Sequence, residues 1–257
     1  MPTILITGAA SGLGAAFLET YSAQQPTTKI LALDRNPIIL PKPNPNIHPH
    51  TLDLTHEPAL QSFAREIASE PINLVIHCAG IRGLVPSLED AFPGDVGACE
   101  TLGGMDVGTL MRSFEINAVG TFLLLRALVP SLVLAAEEGE EGEEGGNSPK
   151  VIVMSSRMGS LANNSVAARP GSAGSAYAYR ASKAALNMLV RSFAVDVPRV
   201  VFVLCHPGRV ETGLVRGREE GAIEAAESVG GLVPLIEGWG RGDSGGFYDR
   251  FGEVIEW

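Results

Sequence analysis

Hydrophobic positions along the chain follow two alternating rhythms. Short, nearly continuous apolar runs occupy residues 3–7, 29–33, 74–78, 151–155 and 200–205. Between them, at 13–21, 57–69, 107–134 and 178–195, apolar residues recur at helical spacing. An unbroken apolar run suits a strand buried on both faces, because successive side chains point to opposite sides. Strand and helix taken in turn imply βαβ units. Right-handed crossovers then wind them into a parallel sheet covered on both faces. A weaker strand is expected at 47–52 and a last short one at 246–248.

Three stretches break the rhythm. Residues 37–49 form a Pro/Asn-rich connector, which disfavours regular pairing. Residues 93–106 are Gly-rich and read as a loop. Residues 137–146 are an acidic Glu/Gly run, read as a solvated, mobile loop before the next strand. No internal repeat and no linker between two cores is visible. The chain therefore reads as one domain over 1–257, with substrate-loop regions at 157–175 and 209–232.

Composition narrows the classes. The 257 residues are 45% hydrophobic and 19% charged, which excludes a disordered chain. The net charge is −10, and six of those charges are Glu137, Glu138, Glu140, Glu141, Glu143 and Glu144. An acidic chain with no basic cluster argues against nucleic acid and against anionic membrane surfaces. Three cysteines without a CxxC pair predict neither a disulfide framework nor a zinc site, and no metal is expected. The N-terminus lacks a basic region followed by a long apolar one, so no signal peptide is expected. Nor is an apolar stretch of about 20 residues expected for a membrane span. A cytoplasmic location follows from these readings.

Chemistry enters at the first strand and the turn after it, Thr7-Gly8-Ala9-Ala10-Ser11-Gly12-Leu13-Gly14. Gly8 permits a tight turn, Gly12 lets backbone approach a pyrophosphate, and Gly14 allows close helix–strand packing. The helix N-terminus adds free N–H groups and a positive dipole end. Dinucleotide binding is predicted from this strand–turn–helix context, with a simple turn as the bland alternative. Some 20 residues on, Asp34 and Arg35 end the second strand. A carboxylate there accepts the ribose hydroxyls of NAD, whereas Arg35 suits the 2′-phosphate of NADP. The carboxylate favours NAD(H), with NADP(H) as the alternative. Asp53, after the third strand, is a candidate acceptor for the adenine amino group or a helix cap.

Tyr179-Arg180-Ala181-Ser182-Lys183 places a phenol and an ammonium one helical turn apart. A cation beside a phenol favours the phenolate and lowers the Tyr pKa from about 10. Such a Tyr is a usable acid or base. Ser155 and Ser156 end an apolar strand, where a hydroxyl can donate to an oxygen that develops negative charge.

Together these residues resemble the short-chain dehydrogenase/reductase family. The carriers are Thr7-Gly8-x3-Gly12-x-Gly14, Ser156, Tyr179-x3-Lys183, Ala79-Gly80, Asn117 and Pro207-Gly208-x-Val210-x-Thr212. The residues around Ser156 and Tyr179 and the ending at 252–257 are similar to the C-factor/sniffer-type carbonyl reductases. The resemblance implies an α/β, Rossmann-like, doubly wound and mainly parallel seven-stranded sheet with helices on both faces, a three-layer sandwich. It implies an NAD(P)-dependent oxidoreductase that interconverts a carbonyl and a secondary alcohol. Tyr179 would exchange the proton, Lys183 would lower the Tyr pKa and hold the nicotinamide ribose, and Ser156 would bond the substrate oxygen. Asn117 would hold a water linking Lys183 to solvent. Gly8, Ser11, Gly12, Leu13, Gly14, Asp34, Arg35, Asp53, Leu54, Ala79, Gly80, Pro207, Gly208, Val210 and Thr212 would contact the cofactor, with Asn117, Tyr179 and Lys183.

The family pattern selects Ser156 over Ser155, because Gly159 lies three places on. Departures also stand out. His77-Cys78 replaces the family's Asn-Asn before Ala79-Gly80, which removes the usual bracing of adjacent strands. Arg209 stands where the narrower branch often has Trp. Walls drawn from 81–88, 158–168 and 214–229 carry few fixed charges, so a mostly apolar ketone or alcohol is expected. The family's pairing through its long fourth and fifth helices implies a homodimer or homotetramer. Two alternatives share the scaffold: a non-catalytic NAD(P)-sensing regulator, and an epimerase or dehydratase.

Overall fold

The computed structural model describes residues 2–140, 148–167, 174–217 and 219–257. Seven strands form one sheet: β1 Thr3–Thr7, β2 Lys29–Asp34, β3 Ile47–Thr51, β4 Leu74–His77, β5 Lys150–Met154, β6 Val201–His206 and β7 Phe247–Asp249. Their order is β3-β2-β1-β4-β5-β6-β7, and every pairing is parallel. The chain leaves β1 toward one edge and returns at β4 toward the other. The crevice between these strands is the place where a doubly wound sheet binds ligands, outside the strand C-termini.

Strand alternation splits the core in two. Leu5, Leu31, Leu33, Val75, Val151, Val153 and Phe202 face one side, packed with Phe63, Leu124, Leu128, Leu186 and Val190. Those partners come from α2 Glu57–Glu66, α5 Gly120–Glu140 and α6 Tyr177–Asp196. Ile4, Ile6, Ile30, Ile76, Ile152 and Val203 face the other side, with Phe17, Tyr21, Val229 and Leu232. Those come from α1 Gly12–Gln24 and α7 Ala225–Gly238. The sheet is thus the middle of three layers, as expected.

β3 forms where the weaker strand was expected, although it contains Pro49, the last residue of the predicted connector. It is the edge strand and pairs only with β2, so the missing N–H of proline is tolerated. A short α3 Pro86–Ala91 and a 3₁₀ turn at Ala98–Glu100 interrupt segments without predicted structure. α7 occupies part of the expected substrate loop at 209–232. Its Gly230, Gly231 and Pro234 argue for a loop, yet Val229, Leu232, Val233 and Ile236 are buried. Tertiary burial outweighs their poor helix propensity. The acidic run is not wholly a loop, since α5 continues through Glu140. Residues 141–147, 168–173 and 218, parts of the three expected loops, lie outside the described residues.

The 107–134 pattern folds as α4 Val107–Phe114, a π turn at Glu115–Val119 and then α5. This run, Val107–Gly139, is long and apolar enough by composition to cross a membrane, contrary to the sequence reading. Half of its most apolar window is buried inside the protein. Leu124, Leu125, Leu128 and Leu132 are fully buried in the core on one side of the sheet. A helix that covers a parallel sheet needs the same apolar character.

Candidate active site

The glycine-rich turn folds as a tight cradle. Gly8 and Gly12 have φ of 68° and 54°, in the left-handed region. Gly14 leaves no room for a side chain, because a Cβ there would sit 2.2 Å from the Gly8 carbonyl oxygen. Ser11 precedes α1 without a side-chain cap, so no side chain claims the first N–H groups of that helix. A cleft of about 360 Å³ opens here. It is lined by Gly8, Ser11, Gly12, Leu13, Gly14, Asp34, Arg35, Asp53, Leu54, Ala79, Gly80 and Thr212, all expected cofactor contacts. The shape and donor set fit a dinucleotide.

Asp34 is built into this turn. Its carboxylate accepts from the Ala10 N–H at 3.0 Å and from the Asn36 N–H at 2.8 Å. Asp53 accepts from the Thr55 N–H and hydroxyl at 2.9 and 2.7 Å, which holds its carboxyl below the usual range. That makes a local turn two residues long rather than a cap of α2, whose N-cap is His56.

A second, larger cleft of about 680 Å³ lies beyond it. Ser156, Tyr179, Pro207, Gly208, Val210 and Thr212 line it. Tyr179 is buried in the first turn of α6; burial raises its pKa, and the Arg82 guanidinium and the Ser156 hydroxyl oppose the rise. Ser155 points elsewhere: its hydroxyl donates to Asn187 Oδ1 on α6 at 2.5 Å. The structure thus separates the two serines. Gly159 packs the turn after Ser156 directly on the Lys183 backbone.

Lys183 and Asn117 line neither cleft but lie beneath. Lys183 Nζ donates to the Met154 carbonyl at 2.9 Å and stands 5.8 Å from the centre of the Tyr179 ring. Burial lowers its pKa to about 8, and Cys78 opposes the shift weakly. Asn117 sits in the π turn, a distortion that recurs at functional sites. Its Oδ1 accepts from the Ile81 N–H at 2.8 Å; its Nδ2 donates to the Ile81 carbonyl and to Ser182 Oγ, both at 2.9 Å. Asn117 Oδ1 and Lys183 Nζ crowd the same side of Gly80.

Sequence reasoning missed two features. The first is His77, at a site where bracing was expected to be lost. Its ring links Thr7 Oγ1 on β1 and Thr121 Oγ1 on α5, both at 2.8 Å. One imidazole thus ties the two strands at the crevice to the helix beneath. Burial first, and Lys183 second, lower its pKa to about 3. The second is Arg82. Its guanidinium lies 4.8 Å from the centre of the Tyr179 ring and pairs with Glu100 through two bonds of 2.9 Å. A cation two places after Ala79-Gly80, at a strand C-terminus, was the available signal. The expected apolar lining is also corrected. Arg82, Arg157, Arg180, Arg209 and Arg250 line the larger cleft with Glu100, Glu219 and Asp249. These charges come from segments that only folding brings together.

A family model for short chain dehydrogenase matches residues 2–222. This protein belongs to the short-chain dehydrogenase family. It is an oxidoreductase with the Rossmann-like fold of that family. The chain is 35% identical over 200 residues to C-signal of Myxococcus xanthus, covering 77% of this chain and 100% of that relative. It is 28% identical over 212 residues to 1-hydroxy-2-glutathionyl-2-methyl-3-butene dehydrogenase of a Rhodococcus species, covering 80% and 78% of the two chains. Among solved structures, NADPH-bound carbonyl reductase from chicken fatty liver superposes with a TM-score of 0.80 at 26% identity, covering 100% and 99%. Carbonyl reductase Sniffer of D. melanogaster has the same TM-score and identity, with both chains wholly covered.

Proposed function

We propose that this protein interconverts a carbonyl and a secondary alcohol with a nicotinamide cofactor, and that Tyr179 is its general acid/base. The observation that carries this reading is the meeting of Tyr179 and Ser156 on the wall of the larger cleft, with Lys183 beneath them at the C-terminal end of β5. The cofactor, when bound, supplies or accepts the hydride. Gly8, Gly12, Gly14 and the first N–H groups of α1 hold its phosphates. Asp34 takes a ribose, which favours NAD over NADP. Ser156 and Tyr179 aim hydroxyls at the substrate oxygen. Tyr179 gives that oxygen a proton in reduction and takes it back in oxidation. Lys183 supports the phenolate and the nicotinamide ribose, and Asn117 connects that Lys to solvent through water.

The unit is one cofactor-binding domain over 1–257. Its substrate is a small carbonyl compound or alcohol, which meets Met158, Leu214 and Phe251 as apolar walls and the arginines as polar ones. Exposed Met111, Val119, Met188 and Val195, on the helices at 107–140 and 177–196, support a homodimer or homotetramer. Three free cysteines support a cytoplasmic site.

The test is Tyr179→Phe, assayed against a panel of aldehydes, ketones and alcohols with both cofactors. Turnover should fall by roughly 10²–10⁴, the share of general acid–base catalysis. Near-wild-type turnover would remove Tyr179 from this role.

A further inference from the structure

Tyr179 has a second cation that no motif announces. We infer that Arg82, clamped by Glu100, is a positioning residue for Tyr179: its guanidinium covers the phenol ring and stabilises the ionised hydroxyl. The acid/base group is then tuned from the loop after β4 as well as from its own helix. This rests on the reading of Tyr179 given above.

The geometry is specific. Arg82 Nε and Nη2 each donate to a Glu100 oxygen at 2.9 Å, and Nη1 contacts Met158 Sδ at 3.2 Å. The Arg82 and Glu100 side chains are only 15% and 9% exposed. A buried bidentate pair holds a guanidinium plane in one orientation, but it is a poor source of stability for its desolvation cost. Here the fixed plane is laid over the Tyr179 ring, where a cation is attracted to the aromatic face.

Glu100 also works through its backbone. Its carbonyl accepts from the Ala176 N–H and the Ser175 hydroxyl, both at 2.9 Å. Ser175 and Ala176 are the non-glycine residues with positive φ, 53° and 49°, among the described residues. Such backbone persists only where its surroundings hold it. α6 starts at the next residue, so one glutamate both clamps Arg82 and sets the start of the helix that carries Tyr179.

The groups facing Tyr179 come from several elements. Arg82 lies over the ring, and Lys183 approaches from the same helix at 5.8 Å. Glu100 and Glu219 oppose them, and the Ser156 hydroxyl, just after β5, favours the ionised phenol. Arg180, the next residue along α6, donates to the Gly174 carbonyl. Burial raises the Tyr179 pKa, and Arg82 is the leading influence that lowers it.

The experiment reads Tyr179 directly and needs no substrate. The chain has four tyrosines, so the ultraviolet phenolate titration of each protein is compared with the same protein carrying Tyr179→Phe. In Arg82→Met, Tyr179 should titrate about 1–2 pH units higher, the effect of losing an opposite charge at this range. Arg82→Lys keeps the charge and should recover most of the wild-type value. A titration in Arg82→Met that coincides with wild type overturns the inference. So does a Lys variant as high as the Met variant, which would make the effect one of shape. If Arg82→Met fails to fold by circular dichroism, the double variant Arg82→Met/Glu100→Gln is read, since it leaves no bare buried charge. A smaller rise is expected there, and no rise overturns the inference. Activity retained in Tyr179→Phe would sink the acid/base reading without touching this ionisation result.

Discussion

Protonation of His77 should weaken this fold in acid. The imidazole is fully enclosed, with Nδ1 on Thr7 Oγ1 and Nε2 on Thr121 Oγ1, both at 2.8 Å. Its pKa is lowered from 6.5 to about 3, mainly by burial and secondarily by Lys183. A lowered His pKa means that the unfolded chain binds the proton more readily than the folded one. Between pH 6.5 and 3, stability therefore rises with pH. The contribution is complete above 6.5 and is lost as acid carries the solution down toward 3. Linkage with these two values gives a loss of about 2 kcal/mol between pH 7 and pH 5, and about 3 kcal/mol by pH 4. His77→Gln removes the titration and keeps a polar side chain able to retain one partner. At pH 7 the variant should be less stable by about 1–2 kcal/mol, for one lost buried hydrogen bond. Its further loss on going to pH 5 should be about 2 kcal/mol smaller than that of wild type. Urea unfolding of both proteins at the two pH values measures this. Other acid-sensitive groups affect both proteins alike and cancel in the difference. Equal pH dependence in the two proteins would refute the argument.

Two further outcomes test the clefts. By calorimetry, wild type should bind NAD(H) more tightly than NADP(H), and Asp34→Ala should narrow that preference by about tenfold, or 1.4 kcal/mol. Tighter NADP binding by wild type would give the ribose position to Arg35. In Gly159→Ala the new Cβ would lie 2.9 Å from the Lys183 backbone carbon and Cβ, so the turn after Ser156 has to move off α6. Turnover should drop by roughly 10²-fold, as for a displacement of about 1 Å at a reacting group, while the thermal melt stays cooperative. Unchanged turnover would show that Ser156 tolerates the shift.

What the sequence by itself determined is everything that depends on neighbours along the chain. Strands with unbroken apolar runs, helices with 3.6-residue spacing, the glycine turn and the Tyr179–Lys183 turn of helix all follow from local geometry. The structure reproduces them within a few residues at their ends. Tertiary structure alone decided what depends on sums over distant segments. α7 forms despite Gly230, Gly231 and Pro234 because the core on the α1 face of the sheet buries its apolar side chains. Ser155 turns to Asn187 and leaves Ser156 to Tyr179 because α6 packs against the end of β5. His77 braces the strands that lost the family's asparagines because Thr7 and Thr121, 70 and 44 residues away, stand at its two ring nitrogens. Arg82 lies over Tyr179 while Glu100, 18 residues on, holds its guanidinium, and the charged lining of the larger cleft gathers residues from position 82 to position 250. Burial and electrostatic potential are properties of the assembled chain, and no local pattern records them.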